Sequence, residues 1–137
     1  MQSFLPYPSF QASAEILDFR RLGKMRVEAW QIYEILNGKK SRWANHPAVK
    51  MWRGYPMALL KYGETMCAEW IKRGYKDTMR ERFVAAYIMR EYFMSMPPWI
   101  GREDFHLSHR SNLCRKDEAY YGRIFGDIPN NLPYIWP

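Results

Sequence analysis

The sequence predicts an all-α fold, a compact cluster of five or six helices forming a single domain over residues 1–137. Three observations predict it. Apolar residues recur at three- and four-residue steps through much of the chain, the spacing of helices that keep one face in a core. Proline and glycine sit at the starts and ends of those segments rather than inside them. No segment sustains the period-two alternation of a half-buried strand, and there is neither an internal repeat nor a low-complexity tract. A chain of 137 residues is long enough to bury most of its apolar side chains without staples.

Taken in order, Pro6 and Pro8 hold the first eight residues extended, because proline fixes its own φ and restricts the residue before it. Ser9 then caps a short helix to about Leu17, with Phe10, Ala14 and Leu17 inward. Asp18-Phe19 joins it to the next helix, either as a tight corner or as a continuous turn. That next segment, Arg20 to Gly38, is the one on which the chain is organised. Leu22, Met25, Ala29, Ile32 and Leu36 form its apolar stripe, and Asn37-Gly38 supplies a left-handed C-cap. One residue out of phase run Arg21, Lys24, Glu28 and Gln31, which share a second face and set one carboxylate among cations.

Lys39 to Asn45 reads as a basic loop, and Pro47 opens a helix to about Arg53 that Gly54 interrupts. Pro56 starts a longer helix ending at Lys72-Arg73-Gly74, with Leu59, Tyr62, Met66 and Trp70 on its inner side and Cys67 as a further candidate for it. Asp77 caps a further helix to about Met96, where Pro97-Pro98 stops it. The next, from about Asp104 to Lys116, carries His106, His109, Arg110 and Leu113. The remainder is a short helix and an ordered, aromatic tail packed on the body.

Hydrophobic residues make up 47% of the chain, yet no apolar run is long enough to span a bilayer, so no membrane association is expected. The first ten residues lack a basic leader and an apolar run, which predicts a cytoplasmic protein. Cys67 and Cys114 stand apart without metal-ligand spacing and read as buried free thiols.

The net charge of +7 is unevenly placed. Arg20 to Arg53 holds nine basic residues and two acidic ones, 9 − 2 = +7, and the rest holds 12 of each sign. A positive excess confined to a quarter of the chain is the footprint of a phosphate-backbone contact, and its plain alternative is a solvated face kept for solubility.

Phosphate-binding glycine loops, the zinc-protease motif and the nucleophile elbow of hydrolases are absent, so those classes have no support. His46, His106 and His109 lack metal-site spacing and read as hydrogen-bonded surface or interface residues, with no metal or cofactor expected. His109-Arg110 beside Arg115-Lys116 reads as a second phosphate contact. Among the many aromatics, Trp43, Trp52, Trp99, Tyr120, Tyr121, Phe125, Tyr134 and Trp136 are mostly packing, but one or two near the basic face could stack on a base or fill the gap left by an extruded one.

These residues resemble a family. The extended start, then Asp18-x-x-Arg21-Leu22-x-Lys24-x-x-x-Glu28-x-x-Gln31 and Asn45-His46-Pro47, is similar to the pyrimidine-dimer DNA glycosylase superfamily, whose founding member is the phage endonuclease V. Leu107-Ser108-x-Arg110 and Lys116-Asp117-x-x-Tyr120-Tyr121-Gly122 resemble that enzyme's last helix and aromatic segment. Similarity over nearly the whole chain is to small bacterial and phage members without an assigned substrate.

The resemblance implies an endonuclease V-like fold and a DNA glycosylase with AP-lyase activity on a damaged or modified pyrimidine. It implies that the α-amino group at the chain start attacks C1′ and that a helix glutamate assists. Such an amine loses its proton far more readily than a lysine, and a carboxylate beside the sugar suits an oxocarbenium-like transition state. The catalytic candidates are therefore Met1, retained because Gln2 is large, and Glu28. Where the phage enzyme has Arg-Glu-Leu-Pro-Arg, this chain has Arg20-Arg21-Leu22-Gly23-Lys24, so Glu28 is chosen by its place two turns along the same face; its alternative is a surface partner of Lys24.

Arg20, Arg21, Lys24, Arg26, Lys39, Lys40 and Arg42 are the phosphate-gripping candidates. Gln31, His109, Arg110, Lys116, Tyr120 and Tyr121 join them as DNA contacts. Asn45 and His46 stand at a helix N-terminus, whose backbone N–H groups suit a phosphate or an abasic sugar. The expected partner is double-stranded DNA with a flipped nucleotide, bound by a monomer. Two other readings use the same basic face: a non-catalytic nucleic-acid-binding module, and a helical domain that meets an acidic protein.

Overall fold

Helix caps divide the chain close to where the sequence places them. In the computed structural model, which describes residues 1–89 and 95–137, the elements are α1 (Phe10–Ile16), α2 (Phe19–Leu36), α3 (Pro47–Lys50), α4 (Pro56–Lys72), α5 (Arg80–Ile88), α6 (Glu103–Lys116) and α7 (Glu118–Phe125). The described residues contain no strand, so the fold is all-α. The described residues form seven helices, each lying in a segment the sequence reads as helical, where the sequence predicts a cluster of five or six.

Ser9 caps α1 by accepting from the Ala12 N–H, and Leu17 and Asp18 are both extended, which makes the α1–α2 junction a tight corner. Asp18 caps α2 through the Arg21 N–H. The inward stripe of α2 is Leu22, Met25, Ala29, Ile32 and Ile35; Leu36 is only partly buried. Gly38, at φ 101°, ends the helix in the left-handed region that glycine enters without strain.

The centre of the molecule is α4 rather than α2. Met57 to Leu60 are all buried, and α4 packs on α1, α2 and α5, so its first turns are apolar on every side. Gly63 is what lets α5 approach: a Cβ there would lie 2.2 Å from the Phe83 ring. Asp77 accepts the Arg80 N–H at 2.7 Å, and α5 ends at Ile88 with Met89 as its C-cap. The remainder of the helix expected to reach Met96 lies outside the described residues.

Two stretches without secondary structure complete the core, and both lie on α6. The N-terminal strip, Gln2 to Pro6, is buried, and the tail from residue 129 runs along the same helix. A buried strip without a sheet partner must find its hydrogen bonds elsewhere. Here α6 supplies them, which explains why His106, Ser108, His109, Ser111 and Asn112 are all buried. His106 and His109 were expected as hydrogen-bonded surface or interface residues, and His109 also as part of a phosphate contact; both belong instead to the buried polar lining between the two strips.

Candidate active site

The placement of the chain start comes first, because most polar groups of residues 3–6 are hydrogen-bonded. Leu5 is clamped by two histidines of α6: its N–H donates to His109 Nδ1 at 2.9 Å, and its carbonyl lies 2.8 Å from His106 Nδ1. Tyr62 donates to the Phe4 carbonyl at 2.8 Å, and Trp52 donates to Ser3 Oγ at 3.0 Å. The Phe4 N–H meets Met25 Sδ at 3.3 Å, and Arg110 donates to the Pro6 carbonyl at 2.8 Å. The strip is thereby tied to α2, α4 and α6 together.

Its end emerges in a cleft of ≈ 1040 Å³ whose floor is α2. There the Met1 nitrogen stands 3.4 Å from Glu28 Oε1, an ion pair with both side chains largely withdrawn from solvent. Arg20, Arg21 and Lys24 line the same cleft from α2, Lys116 and Tyr120 from the α6–α7 junction, and Tyr134 and Trp136 from the tail. Among the described residues, Arg20, Lys24 and Lys116 have no carboxylate partner. Burial, and then the charges of Arg21, Arg115 and Lys24, push the Lys116 ammonium below the ordinary lysine range. Such a cluster of unneutralised cations around one carboxylate and one amine favours a polyanion.

Arg21 is partly neutralised by Asp18 at 3.2 Å. Asp18 also accepts from the Tyr121 hydroxyl, while its own N–H donates to that hydroxyl at 2.9 Å. Burial would raise the Asp18 pKa, but the hydrogen bonds from Tyr121 and Arg21 outweigh it and hold the carboxylate below its usual range. Tyr121 is fully buried by this network, so it braces the start of α2 and presents no face to a base.

Three other expected contacts are also turned inward. Arg26 pairs with the buried carboxylate of Asp77 and lies over the Trp70 ring, 4.3 Å from its centroid. His109 is fully buried, and desolvation pushes it down to about 3. Arg110 bridges Pro6 and Glu103. All three are structural ties, because their donors are engaged or enclosed by the strips and loops they hold.

Gln31 and Lys39, Lys40 border hollows that adjoin the cleft, one of ≈ 170 Å³ that Met1 also lines. Lys39 lies 3.5 Å from Glu34, and Arg42 is exposed over the Trp43 ring at 5.2 Å. Asn45 is exposed in the turn before α3 and does not line the cleft. His46 does line it, but the start of α3 offers no backbone donor. The Ala48 N–H donates to His46 Nδ1 at 3.0 Å, Val49 and Lys50 donate to the His46 carbonyl, and Pro47 has no N–H. The main-chain N–H groups that the sequence offered to an anion there are thus already taken by His46.

Gln2, Tyr134 and Trp136 are lining residues that spacing alone could not assign. The two aromatics were visible as surplus planar side chains, whereas nothing in the sequence marked Gln2. No helix among the described residues is long and apolar enough to cross a membrane.

A family model described as pyrimidine dimer DNA glycosylase matches residues 1–82, more than half of the chain, including the strip, α2 and α4. No curated protein matches, and no solved structure does.

Proposed function

The chain belongs to the pyrimidine dimer DNA glycosylase family, and from that premise we propose that the cleft excises a damaged or modified pyrimidine and then nicks the strand, with the Met1 amine as nucleophile and Glu28 as its acid/base partner. The observation that carries this reading is the 3.4 Å approach of the Met1 nitrogen to Glu28 inside a cleft walled by cations.

In this reading Arg20, Arg21, Lys24 and Lys116 hold the phosphates on either side of the target nucleotide, which is turned out of the stack to bring C1′ to the amine. Once the Met1 ammonium has given one proton to solvent, its nitrogen bonds to C1′ as the glycosidic bond breaks, and the bonding pair leaves with the base. Opening of the sugar ring at its oxygen, with Glu28 moving a proton from nitrogen to that oxygen, gives an imine. Loss of a C2′ proton then expels the 3′ phosphate by β-elimination. Lys39, Lys40 and Gln31 border a hollow beside the cleft and, with the exposed Arg42, extend the contact along the duplex, and Tyr120 offers a partly exposed ring at the cleft rim.

The test is borohydride trapping on a duplex carrying an abasic site. A covalent adduct mapped to the Met1 peptide is expected, and Glu28→Gln should lower the rate of strand cleavage by about 100-fold with DNA affinity unchanged or slightly raised. Binding without any adduct, and indifference to Glu28→Gln, would leave a plain nucleic-acid-binding module.

A further inference from the structure

His46 shares the cleft with Met1 and Glu28, and its ring is fixed in a way that dictates its chemistry. The Ala48 backbone N–H has only a donor to offer, so the Nδ1 it meets at 3.0 Å must be unprotonated. The proton of the neutral ring is therefore on Nε2, on the opposite edge. That nitrogen has no hydrogen-bond partner among the described residues.

The ring is also held edge-on to two indoles, Trp43 at 5.4 Å and Trp136 at 5.8 Å between centroids. Desolvation, and then the nearby Met1 ammonium, push its pKa below the ordinary histidine value, against an opposing effect of Glu28. Protonation would have to occur at Nδ1 and would break the cap. His46 is thus neither a base nor a cation here but a neutral, oriented donor.

We infer that His46 is a further catalytic residue: its Nε2–H donates to the pyrimidine carbonyl oxygen next to the glycosidic bond as the base departs. The inference rests on the reading that the cleft takes the nucleotide to be excised. Several cations already serve the phosphates, and a neutral donor matches an uncharged carbonyl that acquires charge only during the reaction. As the C1′ bond to the Met1 nitrogen forms and the glycosidic bond breaks, the electron pair moves into the base and is shared with that carbonyl oxygen. The proton released by the nitrogen goes to Glu28, and the base anion is protonated by water. A preorganised donor at the developing oxyanion lowers the barrier to base release and does nothing once the base is gone.

That asymmetry supplies the test. In His46→Asn the side-chain oxygen can still cap Ala48, while the amide –NH2 on the shorter side chain stops short of the place where Nε2–H reaches. On a duplex carrying a cyclobutane thymine dimer, excision by His46→Asn should slow about 10- to 100-fold. Borohydride trapping of a preformed abasic site should proceed at the wild-type rate. Equal slowing of both steps, undiminished excision, or a wild-type protein that traps the abasic site yet leaves the dimer intact would overturn the assignment.

Nitrogen-15 spectra of the histidines in the wild-type protein supply a measurement that needs neither a variant nor a substrate. An unprotonated Nδ1 and a protonated Nε2 are expected for His46 at pH 7, and the opposite tautomer would overturn the assignment. A wild-type protein that forms no adduct with the abasic duplex faults the lyase reading, while excision of the dimer and the His46 spectrum continue to decide this one.

Discussion

Lys24 and Arg26 belong to the same turn of α2 and read alike in the sequence as cations of a basic segment. Their surroundings separate them. Lys24 lines the cleft without a carboxylate partner, while Arg26 lies over Trp70 and pairs with Asp77, whose side chain is 1% exposed. Burial would raise the Asp77 carboxyl, and hydrogen bonds from Arg80 and Arg26 outweigh it, leaving it below the usual range. Arg26→Ala should therefore cost about 3 kcal/mol in chemical denaturation, because it strands a buried charge. It should leave the salt dependence of DNA binding unchanged. Lys24→Ala should do the reverse, keeping stability within about 0.5 kcal/mol and reducing the slope of log affinity against log salt by about one.

At the scale of elements, the N-terminal strip is the part on which the candidate chemistry depends, and it has no secondary structure. Its fixed path comes from side chains of α2, α4 and α6, so its end is set as firmly as a helix position. Adding one glycine before Met1 should leave that path intact and carry the amine about 3.5 Å beyond its present place. The expected outcome is loss of the trapped adduct with thermal stability preserved, read by mass mapping and calorimetry. The packing of α5 on α4 depends on a different kind of fit. Gly63→Ala places a methyl group inside the Phe83 ring and should destabilise the protein by about 1–3 kcal/mol, with the separation of these helices as the structural consequence. The extent of α2 and α4 was legible because each ends in residues that physically stop a helix. The role of α6 was not, since serine, asparagine and histidine on a helix have the composition of a solvated face whether water or a buried strip receives their hydrogen bonds.

For the whole molecule, the two histidines that clamp Leu5 link stability to pH. Both are neutral in the fold: burial drives His109 from 6.5 to about 3 and lowers His106 as well, with the Leu5 backbone opposing the latter. The unfolded chain binds these protons near pH 6.5, so stability is complete above that value and falls as the pH drops through the window from 6.5 towards 3. His109 alone should contribute a loss of about 3 kcal/mol by pH 4, on the scale of 1.36 kcal/mol per unit. Carboxylates such as Asp18 and Asp77 act only below their unfolded value of 3.8. Urea unfolding from pH 7.5 to pH 4 checks this, and His109→Gln should flatten the upper part of the curve.

The division between the two levels of description is physical. Periodicity, proline starts and glycine stops are local properties, and they were enough for the all-α class, the bounds of the long helices and the crowding of positive charge into residues 20–53. Family resemblance rested on the extended start, the motif within α2, Asn45-His46-Pro47 and the run from Leu107 to Gly122. What a linear pattern cannot express is which residues from distant segments meet. Tertiary structure alone brings the Met1 nitrogen to Glu28, turns Arg26, His109, Arg110 and Tyr121 inward, and uses the N–H groups at the start of α3 on His46 itself. It also lays Tyr134 and Trp136 along the cleft through hydrogen bonds between the tail and α6. In each case the deciding quantity is the partner available in space, since a charge or a ring serves structure or substrate according to whether another part of the chain has already claimed it.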